Sequence, residues 1–314
     1  MIIREANTKD TPEIVNVLKL SLGEQDLPLS ESIWNFKHRE NPFGNSLVFV
    51  AEEDNTIIGV RAFMRWEWRM EDNTYKAFRA VDTATHPSHQ GKGIFKKLTL
   101  RAVDDAMVNG DDFIFNTPND QSRPGYLKMG WVQVDKIKVA LRPAYNSFWK
   151  FSSKNINYSV NNHCTSEVLE QLCIEWNERL SSNKTLYTPK TAKFLRWRYE
   201  KNPLQRYEIH ANRGLYLAAY IKKRKGIKEL RIAECIYNEN SKPEIIRSIK
   251  MFSKKFGAQV ISYSPELLNM KNNLIKAHIG PILTFKALNL SEQENINFKE
   301  IANWNYSIGD LELF

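Results

Sequence analysis

Cysteine is scarce in this chain: 314 residues hold three, Cys164, Cys173 and Cys235. They are odd in number, widely spaced, and form neither a CxxC pair nor a zinc-ligand spacing. They read as reduced thiols, not as a disulfide framework or a metal site. Long apolar runs are missing too. None approaches the roughly 18 residues that cross a bilayer as a helix, so no membrane partner is expected. The opening, MIIREANTKD, has no basic head followed by a long apolar stretch, so no secretory leader is read there and a cytoplasmic protein is expected. Three catalytic or nucleotide signatures are also absent. These are the phosphate loop ending in Gly-Lys-Ser/Thr, the three-glycine dinucleotide spacing, and a Gly-x-Ser-x-Gly elbow around Ser88.

Hydrophobic residues make up 42% of the chain, enough for a sizeable core. At about 150 residues per domain, the length suggests two domains or one large one. Lysine and arginine number 45 against 36 acidic residues, so the net charge is 45 − 36 = +9. That favours anionic partners without naming them. The densest basic run, IKKRKGIK (221–228), carries a glycine and sits between two strand-like runs. It reads as a solvated hairpin tip. No recognition-helix pattern accompanies it, and no nucleic acid is expected.

Periodicity predicts alternating strands and helices in the first half, a mixed α/β sheet flanked by helices. MIIREA is a strand, TKDTPEIVNVLKLSL a helix with Pro12 near its first turn, and SIWNFKHRENPFG a helix stopped at Asn41-Pro42. SLVFVAEED and TIIGVRAFMRWEWRM are strands. In the second, Ala62, Met64, Trp66 and Trp68 alternate with Arg61, Arg65, Glu67 and Arg69. AFRAVDTATH is a further strand. Ile94, Leu98, Ala102 and Ala106 then recur every four residues, which predicts a helix ended by Asn109-Gly110. DFIFNTP, QSRPGYLKMG and WVQVDKIKVALRP read as strand, short helix and one final strand.

A polar link, about 144–162, separates the halves, and the expected domains are 1–145 and 146–314. The second half repeats part of the first. SIWNFKHRENPF (32–43) aligns with KFLRWRYEKNPL (193–204), pairing Phe36 with Trp197, Lys37 with Arg198, Asn41-Pro42 with Asn202-Pro203 and Phe43 with Leu204. IKAHIGPILTFKAL (275–288) echoes LKMGWVQVDKIKVAL (127–141). Agreement in order along both halves predicts a duplicated domain.

The stretch HPSHQGKGIFKKL (86–98) lies between a strand and a helix. Glycines let backbone N–H groups approach one anion. The helix N-terminus adds partial positive charge, and Lys92, Lys96 and Lys97 add full charges. A Gly-x-Gly alone arises often in plain turns. HPSH suggests a metal pair, but no Cys, Asp or Glu completes a ligand set, so no metal is expected.

These residues resemble the GNAT superfamily of acyl-CoA-dependent N-acyltransferases. Its signature is Gln/Arg-x-x-Gly-x-Gly/Ala, matched by Gln90 and Gly93 but not by Phe95, where Gly or Ala is usual. In NDQSRPGYLKMGW, Asn119, Ser122 and Tyr126 match the family's NxxAxxFYxxxGF, with Ser122 in place of Ala and Gly125 in place of Phe. The resemblance covers about residues 1–142. It implies a GNAT fold, here as two tandem GNAT-like domains, with acetyl-CoA as co-substrate. It also implies a coenzyme site made of Gln90, Gly91, Lys92, Gly93, Ile94, Phe95 and Lys96, the Thr83-Ala84-Thr85 backbone, Asn119 and Ser122.

The family reaction is attack of a neutral amine on the thioester. Tyr126 is the implied proton donor to the leaving thiolate, against the plainer reading of a packed ring. Asp82, expected on one face with Ala84 and His86, is a candidate base or a structural residue, and His86 and His89, which as a residue type titrate near neutrality, are candidates in its place. His86 is more often structural in the family. Asn119 bonds backbone or pantetheine, or caps a helix. A backbone N–H of DTATH is the implied oxyanion donor. Phe95 either turns into the core or reshapes the coenzyme's exit.

In the second half the matching stretch, RIAECIYNENSKPEIIRSIKMF, has no glycine, and Glu239 would repel phosphate. It implies a degenerate domain without coenzyme that shapes the acceptor site. The expected activity is an N-acetyltransferase acting on a small amine, with an amino sugar as first guess and the WNFKHRENPFG helix lining the pocket. The alternative is a non-catalytic acyl-CoA-binding or interaction protein. Oligomeric state is left open by the sequence.

Overall fold

The computed structural model describes residues 1–22, 30–144, 156–271 and 273–311. The strands of the first part are β1 (Ile2–Glu5), β2 (Leu47–Glu53), β3 (Thr56–Met70), β4 (Asn73–Thr85), β5 (Phe113–Asn116), β6 (Val132–Lys136) and β7 (Val139–Pro143). Its helices are α1 (Thr11–Leu22), α2 (Glu31–His38), α3 (Ile94–Val108) and α4 (Arg123–Lys128). Then follow β8 (Val160–Asn162), α5 (Ser166–Ser181), β9 (Leu186–Tyr187), α6 (Ala192–Leu195), β10 (Glu208–Asn212), β11 (Leu215–Arg224), β12 (Ile227–Tyr237), α7 (Lys242–Phe256), β13 (Val260–Tyr263), β14 (Ile275–Ala277), β15 (Ile282–Ala287), α8 (Glu292–Asn297), β16 (Trp304–Asn305) and α9 (Ile308–Leu311).

Two mixed sheets result. One runs β1-β2-β3-β4-β5-β15-β6 and the other β8-β10-β11-β12-β13-β7-β14. In both, the second and third strands pair antiparallel and the fourth and fifth pair parallel. The first strand differs: β1 lies antiparallel to β2, whereas β8 lies parallel to β10.

The stretch read as one final strand, WVQVDKIKVALRP, is two. β6 closes the first sheet, whereas β7 pairs with β13 and β14 in the second. In return β15, late in the chain, pairs with β5. The compact units are therefore not contiguous. One contains 1–68, 74–134 and 282–300, and the other contains 69–73, 135–281 and 301–314. The expected cut at 145/146 lies outside the described residues, but the crossing of β7 and β15 needs two exchanges that a single cut does not express.

The Asn-Pro turns behave alike. Asn41 Oδ1 accepts the N–H of Phe43 at 3.0 Å, and Asn202 Oδ1 accepts that of Leu204 at 2.9 Å. The following proline excludes helical backbone at each asparagine, and the side chain caps the turn that results. α2 ends at His38, before the proline, and its N-cap Ser30 accepts from the N–H of Ile33.

Both faces of β3 are covered, so residues 57–64 are all buried and the period-two alternation there does not separate core from solvent. Ile94, Leu98, Ala102 and Ala106 are buried as their spacing predicts, in a core with Phe49, Phe63, Phe78, Tyr126 and Trp131. This sets the α3 N-terminus at the end of β4. Gly59 of β3 lies under it, so close that a Cβ there would stand 2.8 Å from Ile94 Cγ2.

Candidate active site

Between β4 and α3 the chain makes the tight turn Pro87–His89 and then passes two left-handed glycines, Gly91 (φ +77°) and Gly93 (φ +73°). No atom lies within 4 Å of a Cβ built on either. These glycines are required by backbone conformation, not by space. Gly93 is the N-cap of α3, without a side-chain cap, and the first turn of α3 carries no acidic residue. The first amides of a 15-residue helix are thus left for an outside acceptor.

A cleft of about 510 Å³ opens there. It is lined by Thr83, Ala84, Thr85, Gln90, Gly91, Gly93, Ile94, Phe95 and Lys96, with Ser21 and His89. Nine residues expected at the coenzyme therefore share one cavity. Lys92 is exposed on the loop beside it. Gln90 Nε2 donates to the Thr85 carbonyl at 3.4 Å. Ser88 Oγ bridges His86 Nδ1 (2.7 Å) and His89 Nδ1 (2.8 Å), and His89 Nε2 faces Glu53 at 3.2 Å. Both histidines thus serve the turn.

Asn119 and Ser122 do not line the cleft. Asn119 Oδ1 accepts from the Ser122 N–H (2.9 Å) and hydroxyl (2.8 Å), and so closes the turn that leads into α4. α4 carries Tyr126, buried with its ring edge-on to Phe95 (centroids 5.6 Å, 89°) and to Trp131 (5.2 Å, 62°). Among the described residues nothing hydrogen-bonds the Tyr126 hydroxyl. Phe95 has turned inward onto α4, where Gly125 leaves room: a Cβ on Gly125 would stand 3.0 Å from Phe95 Cε1.

Asp82 stands apart from the cleft. Its φ of +32° is left-handed within β4 and breaks the alternation expected to align it with Ala84 and His86. The carboxylate turns to α2, where it pairs with Lys37 and lies 2.8 Å from His38 Nε2. Burial alone would raise its pKa, but the Lys37 ammonium and the His38 hydrogen bond outweigh that and hold the carboxyl well below the usual range. Such a carboxylate is a weak proton acceptor. Burial lowers the pKa of His38 and favours the neutral ring. The carboxylate only accepts, so Nε2 carries the proton, and Nδ1 accepts from Ser46 Oγ at 2.8 Å. His38 and Ser46 line a second cleft of about 410 Å³ with Trp34, Arg39 and Asn45.

Sequence reasoning passed over Lys37 and His38 as partners of Asp82, because a lysine and a histidine on a helix read as ordinary surface residues. It also placed Arg61 among the polar half of an alternating strand, whereas Arg61 is wholly buried.

The counterpart loop before α7 holds no left-handed glycine. Glu239 there pairs with Lys242 and with Arg179 at 2.9 Å, and Ser241 Oγ bonds Asn238 Oδ1 at 2.8 Å. A cleft of about 710 Å³ beside α7 is lined by Arg142, Tyr237, Lys242, Ile245, Ile246 and residues 268–271.

With this geometry in view, comparison with known proteins is decisive for the first unit. A family model described as "Acetyltransferase (GNAT) domain" matches residues 2–134. Residues 2–134 are a GNAT acetyltransferase domain. Such a domain is that of an enzyme, and the GNAT family uses acetyl-CoA as co-substrate. Among solved structures, a probable N-acyltransferase from Enterococcus faecalis V583 aligns with TM-score 0.65 at 12% identity over 92% of this chain and 73% of its own. A GCN5-related N-acetyltransferase from Anabaena variabilis ATCC 29413 gives 0.61 at 11% over 92% and 73%, and Eis1 from Mycobacterium abscessus 0.59 at 10% over 92% and 74%. At such identities these likenesses speak to the GNAT fold, which they extend over most of the chain. No curated protein matches the sequence significantly.

Proposed function

We propose that the protein is an acyl-CoA-dependent N-acyltransferase that moves an acetyl group from acetyl-CoA to the primary amine of a small molecule, with amino sugars the first class to test. The observation that carries this reading is the cleft at the uncapped N-terminus of α3, backed by a tyrosine whose hydroxyl has no partner among the described residues. In this reading the amides of 91–96 hold the pyrophosphate, helped by Gln90, Lys92 and Lys96. The Thr83–Thr85 backbone carries pantetheine and polarises the thioester carbonyl. Asn119 and Ser122 act by setting α4.

The amine nitrogen attacks the thioester carbon, the carbon–sulfur bond breaks, and Tyr126 gives its proton to the departing thiolate and regains one from water. The amine proton passes through the Ser46 hydroxyl to His38, with Asp82 stabilising the imidazolium. Asp82 is then a positioning residue, because its own carboxyl is held too acidic to keep a proton at neutral pH. The cleft lined by Trp34, His38 and Arg39 is the acceptor pocket. The second unit is a duplicated GNAT-like domain without coenzyme. Its loop lacks left-handed glycines and carries Glu239. No membrane-crossing helix is found among the described residues, and a cytoplasmic site of action is part of the proposal.

The test is release of free thiol from acetyl-CoA with pooled amines, amino sugars separate from amino acids and polyamines. Coenzyme binding without thiol release above background from any pool would favour a non-catalytic acyl-CoA-binding protein.

A further inference from the structure

Arg61 lies in β3 two residues beyond Gly59, on the face that meets α3. Its exposure is 0%, and among the described residues Nε, Nη1 and Nη2 all lack a hydrogen-bond partner. Among the described residues no carboxylate pairs with it. Three rings surround the guanidinium: Phe63 at 4.7 Å, Tyr126 at 5.2 Å and Phe95 at 5.8 Å from Cζ.

A buried lysine or histidine relieves such a position by losing its proton. Arginine does not. Ring faces attract the cation, yet they replace none of the five N–H bonds it leaves in water, and an unpaired buried charge is costly. Two of the three rings belong to the proposed acyl-CoA site. Phe95 lines the coenzyme cleft, and Tyr126 is the group placed at the sulfur. The free cation thus stands next to the acyl end of the bound thioester. Phe95, only half-buried, is the ring between it and the cleft.

We propose that Arg61 is the anion-holding residue of the acyl pocket: once Phe95 turns aside, its guanidinium takes an oxygen of the acyl group. This rests on the acyl-CoA reading above. The oxygen has two sources with one chemistry. It is the thioester carbonyl oxygen, on which negative charge grows during attack, or the terminal carboxylate of a dicarboxylic acyl chain such as succinyl.

Titration calorimetry with free coenzyme A, acetyl-CoA and succinyl-CoA separates the outcomes, using wild type and Arg61→Met. Methionine keeps the length and the apolar stem among the rings. Binding of free coenzyme A should change less than about twofold, and the acyl-CoA that Arg61 holds should weaken about tenfold or more. Loss on both thioesters marks the carbonyl, and loss on succinyl-CoA alone marks the carboxylate. A carbonyl role also lowers the infrared C=O stretch of acetyl-CoA bound to wild type, a readout independent of turnover. The ligand-free variant should melt higher than wild type, because an uncompensated charge has gone.

If wild type and variant bind all three ligands alike, this inference falls and the acyl-CoA reading stands. If wild type binds none of the three, both fall. Should Arg61→Met fail to fold, wild type alone decides. An unshifted carbonyl stretch together with no preference for succinyl-CoA over free coenzyme A overturns the proposal.

Discussion

The ring of Phe95 fills the space above Gly125, so closely that a single added methyl group there would meet Phe95 Cε1 at 3.0 Å. Both residues depart from the GNAT pattern. A small residue is usual where Phe95 stands and a phenylalanine where Gly125 stands, so the two exceptions make one fit. Gly125→Phe should destabilise the protein by about 1–3 kcal/mol through overpacking. Combined with Phe95→Ala, most of that cost should disappear, leaving a coupling of about 1 kcal/mol or more in a urea-denaturation cycle. Additive effects of the two substitutions would mean that the fit has no energetic content.

The loop glycines make a sharper test of the coenzyme site. Gly91 and Gly93 are left-handed with open space around them, so Gly91→Val or Gly93→Val strains only the backbone, at about 1–2 kcal/mol each. The fold should survive while the amides lose their aim. Calorimetry should show one coenzyme A per wild-type chain and no measurable binding in Gly91→Val/Gly93→Val. Two bound per chain, or unchanged affinity in the double variant, would place the site elsewhere.

Much of this architecture was legible because local chemistry and tertiary role agree. The four-residue spacing of Ile94 to Ala106, the glycines before it and the paired Asn-Pro turns each state a backbone requirement that the fold then uses. The two Asn-Pro motifs even make the same side-chain cap. Other features were not legible. That β7 and β15 exchange sheets depends on long-range pairing, and WVQVDKIKVALRP reads as one apolar strand whichever sheet takes each half. The Lys37–Asp82–His38 cluster is set by a left-handed φ at Asp82, which no side-chain pattern announces. Arg61 looked like the solvent side of an alternating strand because alternation marks burial only when one face of a sheet is open.

The Asp82 cluster predicts how stability follows pH. The folded pKa of Asp82 lies below its unfolded value, so its stabilisation is present above about pH 4 and is lost as pH falls. The folded pKa of His38 is also lowered. Below about pH 6.5 the unfolded chain takes a proton that the folded chain resists, and stability again falls with pH. The two add in one direction. Asp82→Asn should cost about 3–5 kcal/mol at pH 7 by taking the carboxylate of this pair away from the buried Lys37 ammonium. It should flatten the loss below pH 4 and keep the histidine's part of the slope, as read by denaturation from pH 7 to 3. A variant as stable as wild type at pH 7 would contradict the pairing.

Tyr126→Phe tests the chemistry. The ring is held edge-on by Phe95 and Trp131, and phenylalanine keeps both contacts. No hydrogen bond is lost among the described residues, since the hydroxyl has no partner there. Stability and coenzyme affinity should therefore stay near wild type. Turnover on a true acceptor should fall about 10²–10⁴-fold if the hydroxyl protonates the leaving thiolate. The loss should appear in kcat more than in KM, because the interaction strengthens only as charge builds on sulfur. A ring that serves packing alone would leave kcat unchanged. A fall in coenzyme affinity with kcat preserved would assign Tyr126 to binding and leave the thiolate to water.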